Sequence, residues 1–413
     1  MDRSGLTSEE LAELKEAVRS LLSWEREVTD DELRLMIEEE LFRRERTRRM
    51  TAVQRSAAVS RLFHAFRGLD ALQPLLDDEE ISEIMINAHD EIYIERKGGL
   101  RRVQIGFESA ERLEDLIHSI VGKVNRMVNE ASPIVDARLP DGSRVHVVLP
   151  PVALKGPTVT IRRFPRNPLG IRELVAGGAL TEEAAEFLRR MVQARYNLFI
   201  SGGTGSGKTT LLNALSQWIG SGERIITIED SAELQIRGVD NLVSLETRNP
   251  NSEGKGTIGI RELIRASLRM RPNRIIVGEV RGAEALDMLQ AMNTGHEGSL
   301  STGHANSARD MISRLETMVL SGAELPMAVI RQQIASALDI VVQLSRYRDA
   351  SRRVAEICEV VGVSNGEVEL RTLYRFEEDG EENGRIVGSL RRIAELNNSD
   401  KLRQAGFARE AAD

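Results

Sequence analysis

The residues in this chain best suited to chemistry are Gly202-Gly203-Thr204-Gly205-Ser206-Gly207-Lys208-Thr209, a complete G-x-x-x-x-G-K-[ST] phosphate-binding loop. Glycines at 203, 205 and 207 let consecutive backbone N–H groups, with Thr204 and Ser206 between them, turn inward around phosphate oxygens. The spacing sends Lys208 to the β- and γ-phosphates of ATP and lets the Thr209 hydroxyl hold Mg²⁺. Thr210 continues a helix whose N-terminus adds a positive dipole. A dinucleotide fingerprint is the alternative for a glycine-rich turn, but G-x-G-x-x-G needs its third glycine where Lys208 stands. The apolar run 198–200 reads as a buried strand and 210–215 as an opening helix, the context the loop requires.

Two apolar runs downstream end in acids. The run 225–228 leads to Glu229, Asp230 and Glu233, and open α/β sheets present ligand-facing groups at the carboxyl ends of their strands, so Glu229 is expected to position or activate water. The run 275–278 leads to Glu279 and Arg281, as a Walker B element does when its acid supports Mg²⁺. Either run alone could be a strand surfacing in solvent, where acids are usually found. Both together, after a phosphate loop, favour chemistry. A third cluster, 294–307, carries His296 and His304, two of only six histidines. It lacks a third His or Cys nearby, which disfavours zinc. A polar structural role or a γ-phosphate contact fits better.

These residues need a scaffold. From 173 to 365 strands and helices alternate, which implies a parallel α/β sheet with helices on its faces. Residues 166–172 read as an interdomain linker, because Pro165, Pro168 and Gly170 break both helix and strand. Before it, 71–165 reads as an α+β domain with a hairpin turning at Lys97-Gly98-Gly99, a helix over 113–128, and strands joined by Pro140-Asp141-Gly142 and Pro150-Pro151. Residues 1–70 read as a helical extension with capping boxes at 7–10 and 29–32. Arg43, Arg44, Arg46, Arg48 and Arg49 could meet an acidic partner or anionic lipid, but a solvated helix face is the favoured reading. The C-terminal extension, 366–413, is polar and expected to be partly loose from about residue 377.

At 413 residues, 41% hydrophobic and with net charge −8, the chain is a globular, multi-domain protein without a global basic field. That balance, with no aromatic and basic stripe, disfavours a nucleic-acid translocase. The single cysteine, Cys358, excludes an internal disulfide. No apolar run approaches the length of a membrane span, so any membrane contact is expected to be peripheral. A nucleotide switch without turnover would lack a catalytic acid, and none is missing.

The phosphate loop, the "IEDSAE" box at 228–233, the "GEVRG" Walker B at 278–282 and the "TGHEGSLSTGHANS" histidine box together resemble the type II/IV secretion ATPase superfamily. The fragments "EIMIN" at 83–87, "VDARLPDGSRV" at 135–145 and "IRRF" at 161–164 resemble most its tight-adherence (Flp) pilus branch, the CpaF group. The likeness spans 72–362. Asn273 stands where that family usually has Asp, and the tetracysteine element of many general-secretion and type IV pilus assembly ATPases is absent. The resemblance implies a RecA-like motor domain behind a PAS-like α+β domain, assembled as a hexameric ring on the cytoplasmic face of an inner-membrane platform protein. It implies ATP-driven pilus assembly, retraction or secretion, with conjugative type IV secretion as the alternative and no nucleic acid bound. It also implies γ-phosphate sensing by Arg138, Arg144 and Arg162, with His296, His304 and Arg281 as further sensors.

Overall fold

The computed structural model describes residues 6–22, 28–96, 98–124, 126–164, 168–248 and 255–407. Lys97 of the expected hairpin turn, residues 165–167 of the expected linker, and the side chains of Arg46 and Arg48 lie outside the described ones. The chain divides into two compact units, Met1–Arg166 and Asn167–Asp413.

The first unit opens with helices Ser8–Leu21, Asp30–Arg43 and Ala52–Arg67. Each starts at a threonine in a capping box: Thr7 with Glu10, Thr29 with Glu32, and Thr51 with Gln54. These reciprocal bonds satisfy amides that a helix start otherwise leaves unpaired. Leu11, Leu14, Leu33, Ile37 and Leu62 pack between the helices. Arg43, Arg44 and Arg49 pair with Glu40, Glu13 and Glu45, so these three arginines are locally neutralised on a solvated surface. Lys15 is buried against Glu108 and Asp70, and Arg112 donates to Asp70, joining the helices to the rest of the unit.

The remainder of the first unit is built on a six-stranded antiparallel sheet. Its strands are β1 (Ile81–Ala88), β2 (Glu91–Arg96), β3 (Gly99–Val103), β4 (Ile134–Arg138), β5 (Arg144–Val148) and β6 (Thr158–Arg162), in the order β3-β2-β1-β6-β5-β4. Helix Ala110–Lys123 lays Leu113, Leu116, Ile117 and Ile120 against one face. On the opposite face Arg138 lies directly across from Arg144, and Arg144 across from Arg162. Like charges placed opposite one another on neighbouring strands destabilise a sheet, and Asp136 Oδ1, 3.5 Å from Arg144 Nη2, offsets part of that repulsion.

The second unit is one nine-stranded sheet. Its strands are β7 (Leu198–Gly202), β8 (Arg224–Glu229), β9 (Asn241–Glu246), β10 (Arg274–Val277), β11 (Leu300–Gly303), β12 (Ile340–Arg346), β13 (Arg352–Ser364), β14 (Glu367–Glu382) and β15 (Arg385–Arg392). The order is β15-β14-β13-β12-β7-β11-β10-β8-β9, parallel from β12 to β9 and antiparallel from β12 to β15. Helices cover both faces, and the buried run Leu198-Phe199-Ile200 contributes alternately to the two cores, as a strand with both faces covered must.

The acidic stretch expected to be loose is instead a hairpin of β14 and β15. Its carboxylates are balanced by cations: Arg348 pairs with Glu378 and Glu381, and Arg391 with Glu377 and Asp379. Composition indicated disorder here because the partners are brought in across the hairpin, as Arg391 is, or from the loop after β12, as Arg348 is.

Candidate phosphate-binding and catalytic site

The phosphate loop leaves β7 through a tight passage. A Cβ on Gly202 would come within 2.5 Å of Ser206 Oγ and 2.7 Å of the Leu344 carbonyl oxygen. Only glycine fits there. Gly207, at φ 98°, caps helix Lys208–Ser216 in the left-handed conformation that glycine adopts without strain.

Lys208 is buried, and its Nζ donates to the carbonyls of Gly202 (3.1 Å) and Gly203 (2.9 Å) and lies 3.2 Å from His304 Nδ1. His304 follows β11, which lies beside β7 with Gly303 next to Ser201. Its Nε2 stands 2.8 Å from Glu279 Oε1, and Glu279 follows β10, the next strand along. An ammonium can only donate, so Nδ1 must offer its lone pair and the ring proton sits on Nε2, an assignment made from the partners. Burial, reinforced by the charges of Lys208 and Arg281, holds His304 below its ordinary pKa despite Glu279. The ring is therefore neutral near pH 7. Arg281 Nη2 donates to Glu279 at 3.0 Å, and its Nη1 lies 3.9 Å from Asp230.

Glu279 Oε1 is buried, and apart from the 2.8 Å approach of His304 Nε2 it has no hydrogen-bond partner. A buried carboxylate oxygen without a donor is costly in a protein interior, and it fits a divalent cation or a water in its shell. On that observation Glu279 fits the Mg²⁺ expected from the motifs.

Glu229 stands at the carboxyl end of its strand, as the sequence indicates. It is buried at the end of β8, and its Oε2 accepts the N–H groups of Glu233 (2.7 Å) and Leu234 (3.0 Å). Burial pushes its pKa up to about 7 against the lowering effect of those two bonds. A Cβ on Gly278 would meet Glu229 Cγ at 2.8 Å, so that glycine lets the two strand ends approach. Glu229 anchors the acidic loop through Oε2, and neither amide occupies Oε1.

His296 does not join the group. It precedes β11, whose four residues span about 13 Å, and β11 begins beside Leu198, at the end of β7 away from the phosphate loop. Its Nδ1 faces the Ala291 carbonyl at 3.2 Å. Within this chain a γ-phosphate contact by His296 is ruled out by the length of the intervening strand. Arg138, Arg144 and Arg162 form their row in the first unit, where Asp136 Oδ1 lies 3.5 Å from Arg144 Nη2 and 2.9 Å from His146 Nδ1. Asn273 accepts the Arg224 amide through Oδ1 at 2.8 Å, a bond that the usual Asp could also accept.

Motif reasoning missed the groups that set β11. Buried Asn197 accepts the amides of Gly298 and Ser299 through Oδ1. Buried Arg274 forms a two-bond pair with Glu223 and donates to the Gly298 carbonyl. The available signal was a lone polar residue directly before an apolar strand.

The sequence model of the family described as type II/IV secretion system protein matches residues 66–404. The chain belongs to this family. Among type II/IV secretion system proteins, a putative conjugal transfer protein of Mycobacterium tuberculosis is 37% identical over 316 residues, covering 75% of this chain and 89% of its own length. The type IV secretion system protein PtlH of Bordetella pertussis is 36% identical over 332 residues, covering 74% and 96%. The solved structure of the pilus retraction motor PilT with bound ADP superposes with a TM-score of 0.51 at 20% identity, over 74% of this chain and 81% of that one. That likeness is one of fold. The N-terminal helices up to residue 65 precede the family match.

Proposed function

We propose that this chain is the ATPase motor of a secretion or pilus machine. The observation that carries this reading is the convergence of Lys208, His304 and Glu279, from three neighbouring strands, at the carboxyl end of the sheet. Lys208 and the loop amides of residues 203–210 bind the triphosphate of ATP. Thr209 and Glu279 hold Mg²⁺, which when bound draws charge from the phosphate oxygens. Glu229, with a pKa near neutrality, is suited to take a proton from water through Oε1 while Oε2 stays on its loop amides. Arg138, Arg144 and Arg162 supply the cationic row that phosphoryl transfer uses to stabilise developing charge, with Arg281 holding Glu279 in place.

The motor acts as a homo-hexamer on an inner-membrane platform protein, associated peripherally with the membrane. No helix among the described residues is long and apolar enough to cross one. Tight-adherence pilus assembly is supported by the fragments at 83–87, 135–145 and 161–164, and conjugative or type IV secretion by the Mycobacterium and Bordetella relatives. Loss of surface fibres in a cell lacking this protein supports the first, and loss of substrate transfer with fibres intact supports the second. The activity itself is tested by phosphate release from Mg·ATP and by nucleotide retention in Glu279→Gln, which should trap ATP. An intact chain that binds no ATP in a fluorescent-nucleotide titration contradicts the proposal.

A further inference from the structure

At the end of the motor sheet away from the phosphate loop, residues 397–401 fold back over the starts of β7, β11 and β12. Glu359, only 3% exposed, accepts two consecutive backbone amides there: Asn397 N–H on Oε2 at 2.8 Å and Asn398 N–H on Oε1 at 2.7 Å. Tyr196, the second residue before β7, donates its hydroxyl to the Asn398 carbonyl at 2.7 Å. Three residues on, Lys401 Nζ reaches the Asp339 carboxylate at 2.8 Å, directly before β12, and lies 3.8 Å from Glu297, in the loop before β11. The same Asp339 oxygen accepts the Asn197 amide at 2.7 Å. Asn197 in turn holds Gly298 and Ser299, the residues that lead into β11.

A continuous polar path therefore runs from Lys401 through Asp339 and Asn197 to the base of the strand that ends in His304. Its interior members are buried or half-buried, where each bond is stronger than at a wet surface and each loss costs more. β11 is short and flanked on both sides by parallel strands, so a shift at its base is carried to its far end as a rigid displacement rather than absorbed. The family match ends at residue 404, just past this segment.

We infer that residues 397–401 form a tether that positions β11, with Lys401 as a positioning residue for the His304 end of the site. The tether touches neither nucleotide nor phosphate loop. Its loss leaves ATP affinity intact while slowing turnover, because His304 loses its register against Lys208 and Glu279. The effect on rate rests on the ATPase reading above; the effect on β11 does not.

The test uses full-length chain carrying Lys401→Met, which keeps most of the side-chain stem and removes the charge, beside Lys401→Arg. Hydrogen exchange at the amides of residues 298–303 and steady-state ATP hydrolysis are measured together. The tether predicts faster exchange confined to 298–303 and a kcat lowered about tenfold at unchanged KM, with both effects largely reversed in Lys401→Arg. Unchanged exchange at 298–303 overturns the inference, and so does a loss of activity accompanied by uniform exchange across the whole domain. If the parent chain shows no hydrolysis, the ATPase reading fails and the exchange measurement alone decides the tether. Glu359→Gln, which disrupts the other end of the segment without changing its volume, gives the same readout should Lys401→Met not fold.

Discussion

Lys208 Nζ and His304 Nδ1 lie 3.2 Å apart, although 96 residues of chain separate them. The contact exists because β7 and β11 are neighbours and both end at the phosphate side of the sheet. His304 then extends the contact to Glu279 on its other nitrogen, so the phosphate loop and the Walker B acid are joined through one neutral imidazole.

Breaking that join should slow chemistry more than binding. His304→Ala is expected to lower kcat by about tenfold to hundredfold, since a misplaced acid and lysine cost orientation rather than affinity. Steady-state kinetics with a parallel nucleotide titration check this, and an increase in KM alone would assign His304 to ground-state binding.

Glu229 makes stability depend on pH in a defined direction. Its folded-state pKa of about 7 lies above the ordinary 4.5, so its contribution is fully present below pH 4.5 and is lost as pH rises through 7. The loss is on the order of 3 kcal/mol for a shift of that size. Thermal melts of Glu229→Gln should therefore fall less between pH 5 and pH 8 than those of the parent. Parallel curves for the two proteins would show that Glu229 is charged in the folded state throughout.

Gly278→Ala places a methyl 2.8 Å from Glu229 Cγ. Crowding of this kind in a packed interior costs about 1–3 kcal/mol, and the melting temperature should fall accordingly. In the double variant Gly278→Ala, Glu229→Ala the penalty should shrink, because the clashing atom is gone.

The arginine row gives a prediction for the first unit. Arg144→Ala and Arg162→Ala should each reduce turnover by about 10³-fold, as removal of a charge-stabilising arginine does in phosphoryl transfer. Their melting temperatures should hold or rise, since each removal relieves a like-charge neighbour. A marked loss of stability with normal turnover would make the row structural.

The sequence was most legible where structure is local. The phosphate loop and the capped starts at Thr7 and Thr29 depend on residues within a few positions of one another, and each stands where pattern and spacing indicate. The histidine box was half legible. Its glycines and hydroxyls pointed to loops around a short strand, but assigning both histidines to one site overlooked that the strand between them spans the sheet. Edge strand β9 and the pair β14–β15 were obscured because polar, partly exposed strands carry little hydrophobic signal. Asp339 and Lys401 left no mark at all, since 62 residues separate them and only the closed sheet brings them together.

The most direct test of the motor assignment is ATP hydrolysis by the purified full-length chain compared with Lys208→Ala. Lys208 is the lysine of the phosphate-loop motif, and its Nζ is held by the Gly202 and Gly203 carbonyls beside His304. Losing its charge should remove several kcal/mol of stabilisation from the transferring phosphoryl group, a fall in rate on the order of 10³-fold or more. A folded Lys208→Ala protein that hydrolyses ATP at close to the parent rate would contradict the account.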